Sequence, residues 1–172
     1  MNAFLEPFKD SFIIKIVFAL VLFIGIALLK AQEKGLLNLD DPINKYLPFE
    51  VKNPFFKNEE ITLRHLSTHT STIKDTENYM GRAYVLKDKI DSTSIKMENI
   101  PQSFNPHNTK IPLSKFLEHY LSEIGEWYNI NAFNNHKPGL YFEYTNVGAS
   151  LAAYIIEKTS KMPFSDLAAK HL

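Results

Sequence analysis

The chain has 172 residues, 45% of them hydrophobic, enough for a single real core. Lysine plus arginine and aspartate plus glutamate both number 19, so no charge excess points to nucleic acid or an anionic surface; the six histidines add charge only in acid. The lack of cysteine excludes disulfides, thiolate nucleophiles and cysteine-ligated metals but leaves the redox compartment open.

Residues 1–11 are mixed and polar. From Phe12 to Leu29 every residue is apolar or glycine except Lys15, and the stretch from Ile16 to Leu29 is unbroken. That stretch is short against the ~20 residues of a membrane span, and suits a signal-peptide core or a buried helix better. Lys9 and Lys15 supply a positive flank, and Leu29 with Ala31 makes a mediocre cleavage site, so an uncleaved anchor is a third reading. Residues 1–22 are therefore set apart as an apolar N-terminal segment.

The passage Gly35-Leu-Leu-Asn-Leu-Asp-Asp-Pro-Ile-Asn-Lys-Tyr-Leu-Pro48 follows, and Phe49 to Glu60 reads as a loop with exposed charges and Pro54. Ile61-Thr-Leu-Arg-His-Leu-Ser-Thr-His-Thr-Ser71 predicts a short helix over 61–70, with Thr62 as N-cap and Leu63 and Leu66 inward. His65 and His69, four apart, have the spacing of helical metal ligands. Leu66, however, stands where a zinc-peptidase helix carries glutamate and no third ligand is evident, which favours structural histidines. Ser71-Thr-Ile-Lys74 has the spacing of a serine nucleophile and its lysine base, yet no apolar helix follows to hold Ser71 at a helix start.

Residues 75–110 are rich in Lys, Asp, Ser, Thr and Asn, and read as a surface insert or the rim of a cleft. Between Pro112 and Gly125, Leu113, Phe116, Leu117, Tyr120, Leu121 and Ile124 form one helical stripe. Trp127, Tyr128 and Phe133 are read as core filling in preference to a ligand-stacking cluster. Pro138-Gly139 predicts a tight turn, Tyr141, Phe142 and Tyr144 favour extended backbone, and Thr145 and Asn146 start a helix. That helix places Leu151, Tyr154, Ile155 and Lys158 on its inner face, with Ala152, Ala153 and Ile156 at the sides. Ser160 to Pro163 break it, and Phe164 to Leu172 begin another helix with Phe164, Leu167 and Ala168 inward.

Pro-Gly, an aromatic, Tyr144-Thr145-Asn146, then Gly148 and a small-residue helix resembles the Y-x-N motif of the serine β-lactamase and penicillin-binding-protein-like family, especially its class C and esterase-like branch. The Gly35–Pro48 and Ile61–Ser71 passages resemble that family's "G-x-L-x-L-D-D-P-x-x-x-Y-L-P" and "I-T-I-R-H-L-L-T-H-T-S", in the same order. The resemblance covers 23–172, with a less familiar insert from about Asn78 to Asn135. It implies an α/β (α+β), β-lactamase/transpeptidase-like fold, with mainly the helical part present and most of the antiparallel sheet missing, as in a C-terminally truncated member. It also implies acyl transfer on β-lactams, D-alanyl peptides or esters, with catalytic roles for Tyr144 in proton movement and Asn146 in holding substrate.

The departures are as specific as the matches. The family's S-x-x-K aligns with Phe18-Ala-Leu-Val21, which supplies neither nucleophile nor base, and the Lys-Thr-Gly or His-x-Gly motif has no counterpart. Without that lysine, Tyr144 is expected to be an ordinary protonated phenol. The expectation is a serine-hydrolase-like protein, inactive by itself, with no cofactor and no metal. Its partner would be a cell-wall peptide or β-lactam-like molecule, and its location the bacterial cell envelope, periplasmic or membrane-anchored. The alternative is a membrane-anchored, non-catalytic binding or interaction protein.

Overall fold

A computed structural model describes residues 12–85, 105–164, 166 and 167, with side chains from residue 23 onward. Among the described residues the α-helices with both ends placed are, in order, α1 (Phe12–Glu33), α2 (Leu63–Ser67), α3 (Glu77–Ala83), α4 (Leu113–Leu121) and α5 (Asn146–Ser160). Among the described residues, β pairing is confined to the isolated bridges Pro42 with Thr62, Ile73 with Phe133 and Val85 with Asn105.

The hub is α5, which packs against α1, α2 and α4. Its Val147, Gly148, Leu151, Ala152, Tyr154, Ile155 and Ile156 are all buried, so more than one face is covered. The inner-face prediction holds for Leu151, Tyr154 and Ile155, but Lys158 is exposed, because a charged tip is not carried into a core without a partner. Lys161, in the left-handed conformation with φ 54°, ends the helix at the expected break.

Ala27, Leu28 and Ala31 of α1 are buried, whereas Phe23, Ile26 and Leu29 stand 40, 43 and 52% exposed. The part of the apolar run with described side chains thus follows the core-helix reading on one face. Among the described residues no helix is long and apolar enough to cross a membrane. Gly35, at φ 67°, closes α1: its N–H donates to Gln32 O at 2.8 Å and Leu36 N–H to Ala31 O at 2.9 Å, the paired bonds of a glycine-terminated helix.

Side-chain chemistry explains the Gly35–Pro48 passage. The Asp41 carboxylate accepts from Lys45 at 2.7 Å and from the Tyr46 hydroxyl. Ile43 N donates to Ile61 O at 2.9 Å and Arg64 N to Leu39 O at 2.7 Å, which seats this loop on the start of α2.

The helices predicted over 61–70 and between Pro112 and Gly125 are shorter than the pattern suggested, as α2 and α4. Ser122, in extended conformation, ends α4 at Leu121, and Ile124, assigned inward, is 88% exposed. The chain folds back so tightly there that a Cβ on Gly125 would lie 2.4 Å from His119 O and 2.5 Å from Glu118 O. The pattern also missed α3, which Thr76 caps by accepting from Tyr79 N and whose Tyr79 is buried. Tyr141 to Thr145 adopt no regular strand. The C-terminal helix includes Phe164, half-buried, and Leu167, buried; Ala168 to Leu172 lie outside the described residues.

Candidate functional site

Thr145 is the N-cap of α5, with Asn146 as the first helical residue. Its hydroxyl accepts from Gly148 N at 3.4 Å and donates to Asp75 Oδ1 at 2.7 Å. The Asp75 carboxylate also accepts from Asn146 N at 2.8 Å, Val147 N at 3.0 Å and Asn146 Nδ2 at 2.7 Å. The first N–H groups of a helix have no partner within it and carry partial positive charge, so a carboxylate is favoured there. Asn146 Oδ1 accepts from the Tyr144 hydroxyl at 3.0 Å. Tyr144 and Asn146 are thus brought together beside a ready-made anchor, with Tyr144 40% exposed.

Burial first, then the negative charge of Asp75 and the nearby Tyr84, holds the Tyr144 phenol above its ordinary value. A cation would act in the opposite sense. The hydroxyl is therefore protonated at neutral pH.

Beneath Tyr144 lies His69. The two ring centroids are 4.9 Å apart, and Phe142 meets the imidazole edge-on at 6.0 Å. His69 sits at φ 53° with Nδ1 buried and lacking a hydrogen-bond partner. Desolvation lowers its pKa, opposed by Asp75. Its carbonyl accepts from Glu143 N at 2.8 Å, fixing the backbone before Tyr144. The helical metal-pair geometry does not arise, because α2 ends at Ser67 and His69 lies beyond it. Among the described residues no group of His, Asp and Glu is arranged to hold a metal ion. His65, inside α2, is a structural histidine as expected, its Nδ1 accepting from Thr62 N at 3.2 Å in the capping box. His69 instead acts through ring packing.

Ser71 is 1% exposed and belongs to no helix. The segment from His69 to Lys74 runs beside 132–143. Gly139 N donates to Thr70 O at 2.9 Å, Asn134 N to Thr72 O at 2.8 Å and Lys74 N to Ala132 O at 2.8 Å. Asn53 Nδ2 stitches the two together, donating to Thr72 Oγ1 at 2.9 Å and Asn134 O at 3.0 Å. Thr72, at φ 71°, interrupts the run between Ser71 and Lys74, so neither helical nor strand spacing relates the two, and Ser71 is not held at a helix start with Lys74 one turn on. The side chains of Phe18 and Val21 lie outside the described residues.

Of the aromatic trio, Phe133 is buried as core, whereas Trp127 is half-buried under the Arg82 guanidinium, 4.7 Å from its ring centroid. Trp127 lines a cleft of about 490 Å³ with Tyr79, Ile111, Phe116 and Ser150; neither Tyr144 nor Asn146 lines it. Asp75 is the residue that sequence reasoning missed. It lies within a polar stretch resembling an insert, and nothing local signals a partner at Asn146.

The Beta-lactamase family profile matches residues 22–172. The chain is similar to Protein flp of Staphylococcus aureus (strain COL), 25% identical over 143 residues, covering 83% of this chain and 22% of that protein. It is also similar to Acyltransferase calJ of Penicillium decumbens, 36% identical over 78 residues, 38% of this chain and 19% of that one. The chain therefore spans about a fifth of the length of the curated relatives it matches, 22 and 19%. Among solved structures, it resembles the octameric penicillin-binding protein homologue from Pyrococcus abyssi, with TM-score 0.56 and 24% identity over 89% of this chain and 29% of that chain. A penicillin-binding protein from Bacillus halodurans gives TM-score 0.50 and 23% identity over 87 and 35%.

Proposed function

The chain belongs to the Beta-lactamase family and has its fold, and from that premise we propose that these 172 residues carry the substrate-holding edge of an acyl-transfer site without its nucleophile. The observation that carries this reading is the Tyr144–Asn146 hydrogen bond of 3.0 Å at the mouth of α5, while Ser71 is buried in a bend outside any helix. Asn146 meets the acyl compound by hydrogen bonding and Tyr144 borders it as a neutral phenol. The ligand class is a β-lactam, a D-alanyl peptide or an ester, held without covalent turnover, at the cell envelope. A similar acyltransferase supports the chemistry, and a polypeptide bringing the nucleophile would restore turnover.

Titrating a penicillin and a D-alanyl-D-alanine peptide onto isotope-labelled protein tests this. The expected result is resonance shifts at Tyr144 and Asn146, weakened in Asn146→Ala, with no hydrolysis product. Hydrolysis, or unshifted resonances in folded protein, contradicts it.

A purely binding role for a protein partner draws on a different observation: Leu140 is 77% and Phe142 67% exposed beside Tyr144. Such an apolar rim suits a peptide or protein surface. Membrane attachment gains no support from the described helices.

A further inference from the structure

We propose that Asp75 is a positioning residue that fixes the donor–acceptor polarity of the Tyr144–Asn146 pair, so that Tyr144 Oη meets a ligand as an acceptor. A carboxylate only accepts hydrogen bonds. The amide group of Asn146 approaching within 2.7 Å of Asp75 Oδ2 must therefore be Nδ2. That leaves Oδ1 facing Tyr144, and an amide oxygen only accepts. The phenol, 3.0 Å away, has to donate its single proton inward. The lone pairs of Oη are then the part left for the exposed side. One negative charge sets the direction of the chain of bonds from Asp75 through Asn146 to Tyr144.

The anchor is itself held. Thr145 Oγ1, Asn146 N and Val147 N donate to Asp75 at 2.7, 2.8 and 3.0 Å, so the carboxylate is placed by the first turn of α5. His69, 4.9 Å from the Tyr144 ring, limits where the phenol can swing. The titratable side chains that sense the Asp75 charge are His69, Tyr79, Tyr120 and Tyr144. The ligand group that fits the acceptor is an N–H or ammonium donor.

This inference rests on the preceding reading only in taking the Tyr144 edge as ligand-facing. Its test uses ligand-free protein, so failure here is distinct from failure to bind an acyl compound. Full-length chain labelled at the tyrosine Cζ and in the asparagine side chains is followed by NMR, with Tyr144→Phe and Asn146→Ala giving the assignments. Asp75→Asn is expected to move the Asn146 side-chain amide resonances and to shift the Tyr144 titration to lower pH. Folded Asp75→Asn protein with both signals unchanged overturns the proposal and leaves Asp75 a helix cap alone. Should that variant not fold, the unmodified protein still decides. On acidification the Asn146 amide and Tyr144 Cζ resonances must follow the Asp75 carboxyl resonance, and Asn146 signals indifferent to it overturn the proposal.

Discussion

Gly148, in the first turn of α5, lies directly against Ser71: a Cβ placed on it would stand 3.7 Å from Ser71 Oγ and 2.7 Å from Thr145 Cγ2. The close approach of helix and loop is what turns Ser71 away from solvent. The Thr145 methyl, in the N-cap of the same helix, is what makes this glycine intolerant of growth. Gly148→Ala gains about 1 kcal/mol of helix propensity. It loses about 1 kcal/mol from a displaced Thr145 cap and roughly 1–3 kcal/mol from overpacking. The net expectation is a destabilisation of roughly 1–3 kcal/mol, read as a lower urea midpoint with unchanged slope.

Asn53 is fully buried, and its amide joins the loop after α2 to the segment before Tyr144 through Thr72 Oγ1 and Asn134 O. Asn53→Ala leaves those acceptors buried and short of a donor, at a cost of about 1–3 kcal/mol. Amide hydrogen exchange at Asn134 and Gly139 should quicken more than exchange in α4. Uniform quickening would show that Asn53 does not act as a local stitch.

Burial holds the His65 and His69 imidazoles below the ordinary histidine value of 6.5; Arg64 adds to the effect at His65, while Asp40 opposes it there and Asp75 at His69. A histidine whose folded pKa is lowered binds its proton more readily when unfolded. Its contribution to stability is therefore complete above 6.5 and is lost as pH falls from there through the folded value. Chemical denaturation between pH 7.5 and 5 should show stability falling with acid. His69→Asn, which tolerates the left-handed backbone, should flatten that fall. An unchanged slope would exclude His69 as a source.

Gly125 faces the end of α4, where an added Cβ would meet backbone carbonyls that cannot rotate away. Gly125→Ala should cost at least the roughly 1–3 kcal/mol of an overpacked core and open the turn. Loss of protection at Trp127 N, which donates to His119 O at 2.9 Å, would report the opening.

Much of this architecture was legible because it depends on short-range chemistry. Thr62 caps α2 as its position before Leu63 implied, and Pro138-Gly139 turns with φ 92° at Gly139. The stripe on α5 was readable for the same reason, apart from Lys158. Ile124 misled because periodicity cannot see Gly125 pulling the chain off the helix axis. Asp75 was hidden because its partners lie about 70 residues away in sequence and its neighbours are polar. His69 read only as a structural histidine, and its ring packing with Tyr144 and Phe142 came from the fold. The Tyr144–Asn146 pair was found from the motif alone, while what orients it came only from the fold.

The central claim is that a site edge of this family stands here without a working nucleophile. Intact-protein mass spectrometry tests it most directly, after incubating folded chain with a β-lactam and, separately, a fluorophosphonate. The predicted result is the unmodified mass in the parent, Ser71→Ala and Tyr144→Phe proteins alike. A stoichiometric acyl or phosphonyl adduct that vanishes in Ser71→Ala would contradict the account and make Ser71-Thr72-Ile73-Lys74 a relocated catalytic pair.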